Sequence, residues 1–87
     1  MKIIVIHTIG DTEGFDRAEE KAFQELQNGS LQLPEGVSLI SRAFNHPRTK
    51  QVCTWEAPSI EIVEEIVEAL VGPYSKNEYY EVEVVNS

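Results

Sequence analysis

Apolar residues recur along this chain in two rhythms, every second position and every third or fourth, and the switches between them mark its elements. Lys2 to Ile9, reading KIIVIHTI, is short and rich in β-branched residues, which predicts a strand. Ile3, Val5, His7 and Ile9 point one way and Ile4, Ile6 and Thr8 the other, so both faces are apolar, as in a central strand covered on both sides. Gly10 and Asp11 break the alternation. Phe15, Ala18, Ala22 and Leu26, with Phe23 beside them, then form a helical stripe that leaves Glu13, Glu20 and Gln24 outside. Asp11 or Thr12 suits the N-cap, an alternative start places Asp16 and Glu19 in an acidic first turn, and Asn28 and Gly29 supply the stop. Leu31 and Leu33 lie in a connection that ends in the turn formers Pro34, Glu35 and Gly36.

Val37 to Phe44 sets Val37, Leu39, Ser41 and Ala43 against Ser38, Ile40, Arg42 and Phe44, a second strand, and Asn45 to Thr49 reads as a hairpin loop. The clearest local instructions run from Gln51 to Gly72, QVCTWEAPSIEIVEEIVEALVG. Val52, Cys53 and Trp55 favour a strand, Pro58 ends it, and Ser59 offers an N-cap oxygen. Ile60, Val63, Ile66, Val67, Leu70 and Val71 then make one face of an amphipathic helix, with Glu61, Glu64, Glu65 and Glu68 on the other. Gly72 suits a left-handed residue after that helix, and Pro73 forbids continuation. Ser75, Lys76 and Asn77 read as a polar turn, and Glu78 to Val85 as a closing strand in which Tyr80, Val82 and Val84 alternate with Tyr79, Glu81, Glu83 and Val85.

Strand, helix, strand, strand, helix, strand is the order of the α+β, ferredoxin-like βαββαβ fold. Right-handed crossovers place the first and third strands at the centre of a four-stranded antiparallel sheet with both helices on one face. Residues 1–87 form one such domain, uninterrupted by linker or repeat. The other sheet face is left bare, and its most economical cover is the same face of a second subunit, a homodimer of the dimeric α/β-barrel kind. Which face of the first strand meets that seam is open, because a one-residue register error exchanges the two.

With this order established, the chain resembles small single-domain families of the dimeric α/β-barrel superfamily. The similarity lies in LPEGVSLISRAFNH leading into the hairpin, CTWEAPS at the strand-to-helix junction, and EYYEVEVV at the end. A distantly similar group, the nickel-binding-like small proteins, has a CVYEAPS-type junction matched here by Cys53, Glu56, Ala57 and Pro58, and often carries a second-strand histidine where this chain has Ser41. Other members of the superfamily are cofactor-free monooxygenases, isomerases or haem-degrading enzymes. The resemblance implies the fold and the dimer, and its matched residues are mainly structural.

Composition narrows the partners. With 87 residues, a single core leaves apolar surface that a partner chain would help to cover. A formal net charge of -8 and a pI near 4.6 oppose non-specific binding to nucleic acid or anionic membrane, both negative themselves. One cysteine forms no intrachain disulfide, and MKIIVIHTIGDTEG turns acidic where a signal peptide stays apolar, so a soluble cytoplasmic protein is expected. No apolar run approaches the roughly 20 residues of a membrane span.

No motif implies a cofactor. His7 stands out by interrupting the apolar face of a central strand, where an imidazole serves as metal ligand, general base or hydrogen-bonded core residue. His46 in the hairpin loop joins it in a metal site only if the loop folds back or a second subunit supplies it. Cys53 has no CxxC partner and reads as a small buried hydrophobe. Arg42, His46, Arg48 and Lys50 form a positive island holding three of the seven Lys and Arg residues, suited to a small anionic ligand or to a solvated hairpin. Trp55, Tyr79, Tyr80 and Phe44 line an aromatic pocket or belong to the core. The helix carboxylates have the spacing of a solvent face. These residues leave three classes: a homodimeric small-ligand-binding or regulatory domain, a cofactor-independent dimeric-barrel enzyme of monooxygenase or isomerase type using His7, and a metal-binding protein.

Overall fold

β1 (Lys2–Ile9) runs through the middle of the sheet, hydrogen-bonded on one side to β3 (Lys50–Glu56) and on the other to β4 (Ser75–Val82), while β2 (Ser38–Phe44) lies outside β3. The structure, a computed structural model describing residues 1–86, thus has the antiparallel strand order β2-β3-β1-β4 of a ferredoxin-like fold, with α1 (Thr12–Asn28) and α2 (Ile60–Val71) as its two helices. Among the described residues no helix is long and apolar enough to cross a membrane.

The face of β1 that meets the helices is Ile3, Val5 and His7, all buried, whereas Ile4 and Ile6 point to the open side and are half-buried. α2 begins at the Ser59 N-cap, whose side chain accepts from the Ile62 amide, and sets Val63, Val67 and Val71 on the core. α1 starts at the Asp11 N-cap, which accepts from the Gly14 amide, so the alternative start at Asp16 is overturned and Glu19 falls in mid-helix. Phe15 is its anchor, fully buried among Ile3, Val5, Trp55 and Val63 in one cluster. Gly29 ends the helix at φ 81°, the left-handed cap expected of it.

Three local expectations fail, each for a physical reason. Gly72 is right-handed, at φ -50° and ψ -40°, and donates to the Glu68 carbonyl as one further residue of helical backbone after α2. Glycine suits this position by lacking a Cβ, which would stand 2.5 Å from that carbonyl oxygen. β4 begins at Ser75 and ends at Val82, three residues earlier at each end than the pattern predicts. Ser75, Lys76 and Asn77 are strand because they pair with Ile9, Thr8 and His7 of β1, and the inward side chain of Asn77 finds polar partners there. In β2 the register shifts between Leu39 and Ser41, leaving Ile40 as the extra residue of a bulge. Leu39 faces Trp55 before the bulge, and Arg42 and Phe44 face Cys53 and Gln51 after it, so the strict alternation from Val37 to Phe44 is broken.

Candidate functional site

Across the helix-covered face, Gln51 of β3, His7 of β1 and Asn77 of β4 are register partners, three polar side chains in one row where an apolar row is usual. Gln51 is fully buried and His7 almost so. Such groups persist in a core only when hydrogen-bonded, and a single chain of bonds satisfies all three. The Asn77 amide nitrogen donates to Glu68 Oε2 of α2 at 2.8 Å, which leaves Asn77 Oδ1 as an acceptor. His7 Nδ1 lies 2.7 Å from that oxygen and therefore carries the ring proton, and Ser75 Oγ donates to the same atom. The other ring nitrogen, Nε2, is left with its lone pair facing Cys53 Sγ at 3.3 Å.

The chain continues beyond the thiol. Cys53 Sγ donates to Gln51 Oε1 at 2.9 Å, Gln51 Nε2 donates to Glu19 Oε1 at 2.8 Å, and Arg42 donates to the same carboxylate oxygen at 2.9 Å. At the opposite end Tyr79 donates its hydroxyl to Glu68. Polar contacts thus run from Arg42 on one edge strand to Tyr79 on the other, crossing all four strands and touching both helices.

Burial governs the protonation of the middle members. Desolvation holds His7 below its ordinary value, against the opposing pull of Asn77 and Glu68, so the ring is neutral near neutral pH. Burial pushes the Cys53 thiol up to about 12, helped by the Glu19 carboxylate. Glu19 is raised as well, chiefly by desolvation, although Gln51 and Arg42 partly restore its charge. Tyr79 is raised by burial and by its bond to Glu68.

A partly open cavity of about 50 Å³ lies over the centre of this row, with His7, Cys53 and Trp55 from the sheet, Glu19 and Leu26 from α1, and Leu33 from the α1–β2 connection on its walls. That space holds about three to five water molecules. Trp55 is 6% exposed, and its indole N–H has no hydrogen-bond acceptor. A buried N–H donor without an acceptor costs about 1–3 kcal/mol, and this one is closed off from solvent.

The other residues singled out from the sequence lie elsewhere. Arg42 is brought to the helix side by the β2 bulge, where it pairs with Glu19 and its guanidinium stacks 4.2 Å from the Phe23 ring centroid. Arg48, in the hairpin loop, pairs with Asp16 and stacks 3.8 Å from the centroid of Phe44. Lys50 donates to Thr8 Oγ1. The cations of the positive island are thus divided among separate partners. His46 is exposed in the loop, while both nitrogens of His7 are engaged inside, so the two histidines do not join as ligands. Among the described residues no group of three or more His, Cys, Asp or Glu side chains is placed to hold a metal ion. The four aromatic residues separate too: Trp55 is on the cavity, Tyr79 on Glu68, Phe44 under Arg48, and Tyr80 on the open sheet face.

Gln51, Glu19, Asn77 and Glu68 complete the arrangement and were not among the residues that the sequence singled out. Gln51 carried a usable signal, since it shares strand parity with Cys53 and Trp55 and must face the core with them. Glu68 belongs to a run with solvent-face spacing, and its exposure is real, but its carboxylate turns back to Asn77 and Tyr79. A scan against protein-family models matches none, and a search of curated proteins finds no similar sequence.

Proposed function

We propose that the chain is a homodimeric small-ligand-binding domain of the dimeric α/β-barrel kind, holding its ligand in the cavity between the sheet and the helices. The observation that carries this reading is the partly open cavity itself, whose wall is mostly aliphatic and aromatic and includes Trp55. Binding sites of this kind combine an apolar lining with a few placed polar groups. The ligand that fits is small, uncharged and largely apolar. An anion is disfavoured, because Glu19 lies on the same wall and the nearby guanidinium of Arg42 is already taken by it.

The dimer is proposed through the open sheet face. Ile4 and Ile6 stand at its centre beside Val52, 38% exposed, and Tyr80, 47% exposed, and these residues are neighbours across the β3-β1-β4 ladders. A second copy would bring the same apolar centre against them about a sheet spacing away.

Trp55 is the sole tryptophan, so its emission reports on the cavity directly. Native mass spectrometry of the purified protein is expected to show a bound small molecule, and small neutral ketones and esters are expected to shift Trp55 emission saturably. An empty protein whose emission ignores every such compound overturns the ligand reading. Light scattering is expected to show a dimer at micromolar concentration, converted to monomer by Ile6→Glu, and a stable wild-type monomer overturns the assembly.

A further inference from the structure

The geometry points to a second property of this cavity: Cys53, His7 and Asn77 form a nucleophile, a base and an orienting group for acyl transfer from a small uncharged ester or thioester. The inference rests on the cavity being a ligand site and adds chemistry to it. Its three members come from three adjacent strands, β3, β1 and β4, so sheet register rather than any sequence motif assembles them.

At rest the thiol donates to Gln51 Oε1 at 2.9 Å, and a rotation of the S–H toward His7 Nε2 gives the order of bonds such chemistry needs. Asn77 Oδ1 accepts from His7 Nδ1–H at 2.7 Å, which fixes the tautomer, and the free lone pair of Nε2 faces the thiol at 3.3 Å. Asn77 is itself held from two sides by Glu68 and Ser75, so it is a positioning residue supported by both α2 and β4. The thiol lies on the cavity wall. Two residues along the same face of β3 stands Trp55, whose acceptor-less N–H is closed off at rest and would turn toward the cavity to donate to an acyl oxygen.

The reaction balances within these groups and water. Cys53 Sγ attacks the carbonyl carbon, an S–C bond forms, and the thiol proton passes to His7 Nε2 while Trp55 donates to the oxygen that gains charge. Collapse breaks the bond to the alcohol or thiol, which leaves with the proton from His7, and a thioester remains on Cys53. Water, deprotonated by His7, then cleaves the thioester to a carboxylic acid and restores the thiol. A cavity of about 50 Å³ limits the acyl group to a few carbons.

The charged and titratable groups facing this pair are Glu19 of α1 and Arg42 of β2 on the Cys53 side and Glu68 of α2 with Tyr79 of β4 on the His7 side. Unassisted acylation of a thiol as basic as this one rises about tenfold per pH unit through the neutral range, because it follows the thiolate. Assisted by a neutral imidazole, it is level from about pH 7 to about pH 9. The test uses p-nitrophenyl acetate on the folded wild-type protein, following nitrophenolate release and intact mass. The expected result is one hydroxylamine-labile acetyl group per chain, lost in Cys53→Ser, formed at a pH-independent rate. His7→Gln is expected to slow it about 100-fold or more, and Asn77→Ala to restore the tenfold-per-unit slope. Trp55→Phe, which keeps a ring and removes the donor, is expected to cost at least about tenfold.

A tenfold-per-unit rise in the wild type overturns the proposal without any variant, as does failure to acylate at any pH, or a His7→Gln rate within about twofold of wild type in a protein that still melts cooperatively. Saturable Trp55 shifts with ethyl acetate in a protein that fails these tests would retain the ligand cavity and remove only the acyl chemistry.

Discussion

Under the helices the sheet is crossed by amide, imidazole, thiol and carboxylate groups, while its uncovered face presents Ile4, Ile6, Val52 and Tyr80 at its centre. β1 supplies both, since its odd residues include the buried His7 and its even residues include Ile4 and Ile6. The comparison shows that burial and polarity are decided separately. A polar row is stable inside because every member has a partner, and an apolar row lies outside where no helix covers it. The inner row therefore spends stability on placing particular groups, which is why it is the candidate site.

The sharpest way to break the contrast is at the two isoleucines of neighbouring parity. Ile3→Ala empties a fully buried position and is expected to cost about 2–5 kcal/mol in urea denaturation. Ile4→Ala is expected to cost clearly less at concentrations where the chain is monomeric, with the remainder appearing only as a concentration-dependent loss if the dimer forms. Equal costs in the monomer would mean that the faces are misassigned.

Next come the links of the inner row. Glu19→Ala strands the Gln51 amide and is expected to cost about 1–3 kcal/mol, and His7→Gln a similar amount, by thermal or urea unfolding. In a double-mutant cycle Glu19→Ala and Gln51→Ala should be non-additive, because they remove one shared bond.

A smaller effect is one of pH. The folded-state pKa of His7 lies below its unfolded value of 6.5, so above that value both states are neutral and the native contacts contribute fully. As pH falls through 6.5 the unfolded chain takes up the proton that the native ring refuses, and stability is lost until the folded pKa is passed. The gap between wild type and His7→Gln is thus expected to narrow on acidification. Glu19, raised in the fold, works in the opposite sense, gaining native-state protons as pH falls through its folded value, so only the difference between the two proteins isolates His7. A gap that is constant between about pH 5 and about pH 8 would place His7 elsewhere than in this desolvated row. Smallest of all, Lys21→Ala removes only an exposed pair with Glu25 and is expected to shift stability by less than about 0.5 kcal/mol.

Much of the fold is written locally. The Ser59 cap, the valine stripe of α2, the Gly29 stop and the β-branched run of β1 are each legible within a few residues, and together they fix the element order. The start of β4 is not, because Ser75 to Asn77 have turn composition and become strand only by pairing with β1. The bulge at Ile40 carries no local signal either, as any residue can be the extra one. The site was less legible than the fold for the same reason. His7 is visible as a polar break in an apolar strand, but its partners Cys53, Asn77 and Glu68 lie 46 to 70 positions away or are reached only through that chain of bonds. Spacing along a sequence cannot reveal a row that exists only across a sheet.

The extra residue of β2 also acts on the outer border of the sheet. β2 is an edge strand, with one line of backbone donors and acceptors unspoken for by β3. A flat edge is a template on which another chain can add strand after strand, and a bulge interrupts the even spacing that such growth requires. By taking up one residue without pairing it, Ile40 both turns Arg42 inward and makes this border a poorer seed for aggregation.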